Sequence, residues 1–271
     1  MSTAFAVVFQ HRFDPAVTAA GVRAQMLKDW PGCDVSIVQE RGEHADGQAS
    51  LASDSSGIYI RPVDSPFTDD VSELCGPSLL WPDGKPFNEA YQAHCIVAVA
   101  DQTRDERHAA AMLTRVVASL IRISSETIAV YWAGANHLIY PPMFREMAMQ
   151  RLPEAPLYLW VAFPMWQRSD GRLHASTQGL DRLGLMDLEI LDSEKTPRET
   201  HEFLVNVADY LVRRGLVIED GHTVGESEQE RIRAVYAKAS TDPEKTVIQL
   251  TNQKPQGALR YGNRDPLAEH Y

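Results

Sequence analysis

Long apolar runs are missing from this chain of 271 residues. None approaches the roughly 18 consecutive apolar residues that a membrane-spanning helix needs. The first run, Ala4 to Phe9, is short. It has no basic flank before it and no small-residue cleavage site after it, so a signal peptide is not expected. Cysteine is scarce and unpaired in pattern: Cys33, Cys75 and Cys95 are odd in number and far apart. That leaves no disulfide framework and no CxxC zinc pattern, and it fits a reducing, cytoplasmic setting. Basic residues are outnumbered, with 26 Lys and Arg against 37 Asp and Glu and a net charge of −11. No basic cluster is interleaved with aromatics. Such a surface repels phosphate backbones, so no nucleic-acid partner is expected, whereas a basic protein partner suits it. Solubility alone also accounts for the charge. No GxSxG elbow, P-loop, HExxH, EF-hand or kinase motif set occurs. No cofactor, metal site or catalytic residue is therefore assigned.

What is present is ordinary globular composition, 44% hydrophobic and 23% charged. Ala4–Phe9, Asp34–Gln39, Gly57–Val63 and Ala93–Ala100 read as strands. A helix runs from Asp14, as N-cap, and Pro15 to about Trp30. The polar stretch Arg41–Ser56 reads as a loop, Thr68–Leu80 as a short helix, and "WPDGKP" (Trp81–Pro86) as a turn with a candidate exposed tryptophan. Thr103 and Glu106 form a capping box ahead of the longest helix, whose buried face is Ala109, Met112, Val116, Leu120 and Ile123. A second round follows. It consists of a strand at Thr127–Gly134, a helix at Pro141–Gln150, a hairpin of Leu157–Gln167 with Arg172–Gln178, and a strand at Leu185–Leu191. A helix capped by Thr196, Pro197 and Glu199 then ends at Gly215, and a hairpin forms around Asp220-Gly221, followed by two late strands. The element order gives an α+β fold of two ferredoxin-like βαββαβ-type halves. The halves share one mixed or antiparallel sheet with helices on one face, or keep separate sheets. Expected units are 1–126, 127–251 and a loosely ordered tail, 252–271.

Each candidate for chemistry has a plain structural alternative. In "LMDLEIL", Asp187 and Glu189 are two apart, so on a strand they share a face. Paired carboxylates serve acid/base chemistry or a metal, but a polar strand face facing solvent produces the same pattern. His222 between Asp220 and Glu226 imitates a metal loop, yet the DG turn accounts for it. His94 and Cys95 are adjacent, so in a strand they point to opposite faces and form no dyad with each other. A partner would have to be distant, such as His137 or His174. The most suggestive segment is "YWAGANHLIYPPMF" (Tyr131–Phe144), just after a strand. Trp132, Asn136, His137 and Tyr140 there are candidate ligand-binding residues, because strand ends often hold ligand sites.

"TQGLDRLGLMDLEIL" (Thr177–Leu191), the capped helix ending "ADYLVRRG" and then "EDGHTVG" together resemble the bacterial domain-of-unknown-function family numbered 4261. The matching positions are Thr177 and Gly179, Gly184 to Ile190, and Asp220 to Gly225, with Asp187 standing where the family pattern usually has Glu. The resemblance implies a bacterial, intracellular protein over roughly Arg172–Leu250 and carries over no catalytic residue.

Three functions follow as expectations. The first is a non-enzymatic protein-binding, accessory or immunity-type module that masks a basic partner. The alternative is a small-molecule-binding protein or enzyme with a pocket near Trp132–His137. The third is a homo-oligomeric module in which exposed strands such as "KTVIQLT" pair between copies.

Overall fold

The computed structural model describes residues 1–39, 48–53, 55–71, 74, 78–81, 91–225 and 232–252. The first apolar run lies inside a sheet. β1 (Ser2–Gln10) has β5 (Ala93–Asp101) on one side and β6 (Thr127–Trp132) on the other, both antiparallel. Beyond β5 lie β4 (Ser56–Val63), β3 (Ala49–Ala52) and β2 (Ser36–Gln39), and beyond β6 lies β7 (His137–Ile139). The order of this seven-stranded sheet is β2-β3-β4-β5-β1-β6-β7.

Alternation along β1 sends side chains to two different cores. Ala6 and Val8 join Val97, Val99, Ile58, Ile60 and Val130 under α1 (Ala19–Asp29), α2 (Glu106–Ile123) and α3 (Pro141–Arg151). Val7 and Phe9 face the other way and pack with Tyr131, Leu138, Val71 and Tyr91.

The second sheet is mixed, with the order β11-β12-β13-β10-β9-β8. Its strands are β8 (Met165–Gln167), β9 (Leu173–Ser176), β10 (Leu188–Ser193), β11 (Thr223–Val224), β12 (Ile232–Lys238) and β13 (Thr246–Asn252). The helical turn α4 (Leu157–Trp160) precedes β8, and α5 (Pro197–Arg214) follows β10. Among the described residues, only β10 and β13 are paired in parallel. One apolar cluster runs through both layers: Leu188, Ile248 and Leu250 of the second sheet and Leu204 and Leu211 of α5 belong to the same core as α2. Among the described residues, no helix is long and apolar enough to cross a membrane.

Several elements differ from their sequence expectation for local reasons. Of the two arrangements the sequence leaves open, the strands form separate sheets. β6 and β7 complete the first sheet, which therefore extends past position 126. α1 starts at Ala19 with Thr18 as its cap, because Asp14 spends its carboxylate on a turn, accepting from Ala16 N–H at 2.9 Å. α2 is capped by Asp105, whose Oδ1 accepts from the N–H groups of Arg107 and His108, while Thr103 is bound to Asp101 instead. β3 forms inside the stretch read as a loop by pairing with β4. Leu157–Trp160 is helical, so the hairpin over the SDG turn is only β8 with β9. Asp220-Gly221 does make a turn, with Gly221 at φ 84, but Thr223–Val224 pairs with β12 and not with Leu216–Ile218. The helix expected over Thr68–Leu80 lies partly outside the described residues, and the described ones there carry no α-helix. The stretch Pro82–Pro86 and the tail from Gln253 also lie outside them. The α5 boundaries hold, with the Thr196/Glu199 capping box formed and Gly215 at the C-cap.

Candidate functional site

Trp132, Asn136, His137 and Tyr140 are close in sequence, but the structure gives them separate surroundings. Trp132 is 3% exposed and packs its ring against Phe144. Asn136 has a left-handed backbone, φ 51, and its Oδ1 accepts from the Tyr131 hydroxyl at 2.6 Å. His137 is buried on β7, with Nε2 3.1 Å from the carbonyl oxygen of Leu159. A carbonyl only accepts, so this contact assigns the proton to Nε2. Burial lowers the imidazole pKa to about 4, against which that hydrogen bond acts. Tyr140 is 45% exposed, with its ring 6.5 Å from that of Trp81. None of these four lines the cavities along residues 152–158 or the one between α5 and β11.

The carboxylate pair is a correction. Asp187 and Glu189 do not face solvent; they are 5% and 2% exposed. Asp187 precedes β10 and accepts from Thr177 Oγ1 at 2.8 Å and from Leu180 N–H at 3.0 Å. Burial and the nearby Asp181 carboxylate raise its pKa to about 6. Glu189 accepts from the N–H and hydroxyl of Ser240 and from Gln249 Nε2. It lies 3.4 Å from His174 Nε2, without hydrogen-bond alignment, and Trp166 stacks on that imidazole at 3.9 Å. Burial lowers the His174 pKa, and Glu189 opposes this. The carboxylates therefore serve two different polar clusters. Ser240 and Thr177 supply the partners that let them leave water.

His94 Nδ1 is 2.7 Å from the Ser65 carbonyl oxygen, and Cys95 is buried in the other core. His222 is exposed and accepts from Glu219 N–H. Among the described residues, no group of three or more His, Cys, Asp or Glu is placed to hold a metal ion.

A different region gathers exposed charge around concave space. Three adjoining cavities follow residues 152–158. The first, 510 Å³, lies between the turn after α1 (Trp30 to Asp34), Ser55 and the α2 side chains His108, Met112 and Arg115. The second, 450 Å³, shares His108, Arg115 and Pro153 with it and continues to Glu154, Trp160 and the α5 residues Asp209 and Arg213. The third, 390 Å³, shares Ala155, Asp209 and Arg213 with the second and ends at Tyr158 and Arg151.

The walls are fixed by polar contacts. Asp101, at the end of β5, accepts from Ser55, Ser56 and Thr103. Burial alone would raise its pKa; these hydrogen bonds hold it at about 2. The ionised carboxylate lies 3.7 Å from His108 Nε2 and so places the imidazole at the cavity edge. Asp29 holds Arg145 in a two-pronged pair with both distances 2.8 Å, and Arg145 also donates to the Ala118 carbonyl oxygen. Arg107 donates to the carbonyl oxygen of Val212, tying the start of α2 to the end of α5. Arg213 pairs with Asp209 at 2.7 Å. Arg115 is half-buried and, among the described residues, has no hydrogen-bond or ion-pair partner.

Sequence reasoning missed this groove. His108 and Arg115 are seven apart, so they share one helix face; that face carries polar residues and reads as solvent-exposed. Asp209 and Arg213 are an ordinary i, i+4 pair. Only the packing of α5 and residues 152–158 beside α2 turns those surfaces into one groove.

Residues 176–251 match the model of a family described as a domain of unknown function (DUF4261). The match runs from the end of β9 through β13, so it covers most of the second sheet, α5, and the Thr177, Gly179 and Asp187 cluster. No curated protein and no solved structure matches the chain.

Proposed function

We propose that the protein is a non-enzymatic binding module that receives a basic protein partner in the groove between α2, α5 and residues 152–158. The carrying observation is the line of three adjoining cavities, which suits an elongated occupant such as an extended chain segment at about 3.3 Å per residue. Asp105, Glu154 and Asp209 line its middle; Asp105 and Asp209 are paired with Arg107 and Arg213, and Glu154 is left to meet a Lys or Arg side chain. The net charge of −11 would steer a basic protein toward it. An accessory or immunity-type role is the form of this reading that the charge supports. The isolated cysteines support a reducing, cytoplasmic setting. In the first sheet, the order β4-β5-β1-β6 with α1 and α2 on one face supports reading the N-terminal half as ferredoxin-like.

The test is site-specific photo-crosslinking in cells from position 154 and, as a remote control, from position 236, followed by Glu154→Lys. A partner captured only from the groove, whose binding Glu154→Lys weakens at least tenfold without changing the melting temperature, is the expected result. Equal capture from both positions, or binding indifferent to the charge reversal, overturns the reading. A small-molecule site near Trp132 and His137 is the second proposal. Its support is the left-handed Asn136 at a strand end, a conformation that clusters at ligand sites.

A further inference from the structure

We propose that Arg115 anchors a carboxylate subsite where the first two cavities of the groove meet. The inference rests on the groove being a binding site, and it names the chemistry at one point of it.

Among the described residues, Arg115 is the half-buried charge of the groove left without a partner; Arg151 and Glu154, also unpaired, are exposed. The neighbours of Arg115 are engaged: Arg213 with Asp209, Arg107 with Asp105 and the Val212 carbonyl, Arg145 with Asp29, and His108 beside Asp101. Arg115 lines both cavities and, among the described residues, is left without an anion. A half-buried guanidinium keeps its charge and presents a planar fork of N–H donors, the geometry that matches a carboxylate in a two-pronged contact. His108 lines the same two cavities and adds a ring nitrogen to that wall.

The surroundings select the kind of anion. Asp34 lines the first cavity, and Asp105, Glu154 and Asp209 line the second. With Asp105 and Asp209 paired to Arg107 and Arg213 in the same wall, one unpaired guanidinium between the isolated carboxylates Asp34 and Glu154 matches a single negative charge better than a phosphate dianion. A carboxylate arrives either as the free end of a partner chain or as an Asp or Glu side chain within it. A basic segment carrying one carboxylate matches both the unpaired Glu154 and Arg115.

Cys33 provides a reporter. It is a free, half-buried cysteine that lines the first cavity, and it is close enough to Arg115 for that charge to act on it. Site-resolved mass spectrometry follows the alkylation of Cys33 by iodoacetate, which is itself a carboxylate, and by neutral iodoacetamide. The ratio of the two rates cancels any change in the fraction of thiolate. The expected result is a ratio at least threefold higher in the wild type than in Arg115→Gln, with Arg115→Lys intermediate. Acetate should slow iodoacetate alkylation more than equal ionic strength of chloride or inorganic phosphate does. Protection by acetyl-dialanine but not by its amide points to a chain end; protection by an internal Glu peptide with both ends blocked points to a side chain. A ratio unchanged in a folded Arg115→Gln, or equal slowing by acetate, chloride and phosphate, overturns the subsite. That failure leaves the crosslinking result from position 154 untouched, so the subsite and the groove can fail separately.

Discussion

Thr177 Oγ1 donates to Asp187 Oδ1 across 2.8 Å, and the same hydroxyl accepts from the N–H of Leu188 at 2.8 Å. One side chain thus closes the loop from β9 to β10 from both ends. Leu180 N–H adds a second donor to the carboxylate. The glycines of the loop have geometric duties. Gly179 sits at φ 118, and a Cβ there would lie 2.5 Å from the Trp160 carbonyl oxygen. Gly184 ends the 3-10 turn at Asp181–Leu183 in the left-handed region, φ 73. The stretch Thr177–Leu191 is therefore a built turn between two strands. Asp187 and Glu189 are internal, and its glycines are sites of close approach and unusual backbone angle.

Gly179→Ala should cost about 2–4 kcal/mol, because it combines a backbone clash with a positive φ. Thr177→Val should cost about 2 kcal/mol, since it keeps the shape but strands the Leu188 N–H and one bond to Asp187. Urea denaturation of each variant measures both. A Gly179→Ala protein as stable as the wild type would contradict the close approach to Trp160.

Asp187 makes the loop pH-sensitive in the less common direction for a carboxylate. Its pKa is raised to about 6 when folded, against 3.8 for an ordinary aspartate. The folded state holds the proton more tightly, so this contribution to stability is complete below about pH 4 and is lost as pH rises through about 6. Its size is on the order of 2–3 kcal/mol. His137, lowered to about 4, has the opposite sign: its contribution is present above about pH 6.5 and is lost as pH falls toward 4. The two partly cancel in the wild type. Asp187→Asn keeps an acceptor oxygen but cannot ionise, so the variant should gain stability relative to the wild type as pH rises from 4 to 7. Parallel slopes for the two proteins over that range would show that Asp187 titrates normally.

How much of this was legible in the sequence depends on how local each cause is. α5 was readable because Thr196, Pro197, Glu199 and Gly215 specify its ends through neighbours only a few residues away. The strands β1, β4 and β5 were readable as apolar or alternating runs. β3 was not, because a short Ala-Ser-Leu-Ala segment becomes a strand only once β4 pairs with it. The burial of Asp187 and Glu189 was hidden for the same reason. Alternation places them on one face, but the donors that bring them inside come from Thr177 and from Ser240, 51 residues beyond Glu189. The groove is the extreme case: the α1 turn, α2, residues 152–158 and α5 each contribute a wall, and no single segment contains its pattern.

Glu189 offers a prediction that separates structure from chemistry. Glu189→Gln turns an amide nitrogen or an uncharged oxygen toward Gln249 and Ser240 and should cost about 2 kcal/mol. It also removes the carboxylate that supports the charged form of His174, so the His174 pKa should fall further below its ordinary value. NMR titration of the imidazole reads this directly. An unmoved His174 pKa would mean that the 3.4 Å separation carries no coupling.

Asp29 and Arg145 should be coupled more strongly than any surface pair in the protein. Both are largely enclosed, the guanidinium grips the carboxylate with two 2.8 Å contacts, and Gln25 and Ser119 also donate to Asp29. Burial alone would raise the Asp29 pKa; the hydrogen bonds from Arg145, Gln25 and Ser119 outweigh it, and the net shift is downward. The stability this contributes is present above the ordinary carboxylate range and is lost as pH falls through the lowered value. Removing either partner leaves the other charge enclosed, so Asp29→Asn and Arg145→Met should each cost about 3 kcal/mol, while the double variant costs little more than one alone. A double-mutant cycle in urea gives the coupling energy, and additive losses would contradict it. The pair also locks the end of α1 against α2 and α3, and the turn that follows, Trp30 to Asp34, is one wall of the first cavity. The single variants should therefore change the iodoacetate-to-iodoacetamide ratio at Cys33 even where Arg115 is intact. A ratio identical to the wild type would show that the wall keeps its place without the pair.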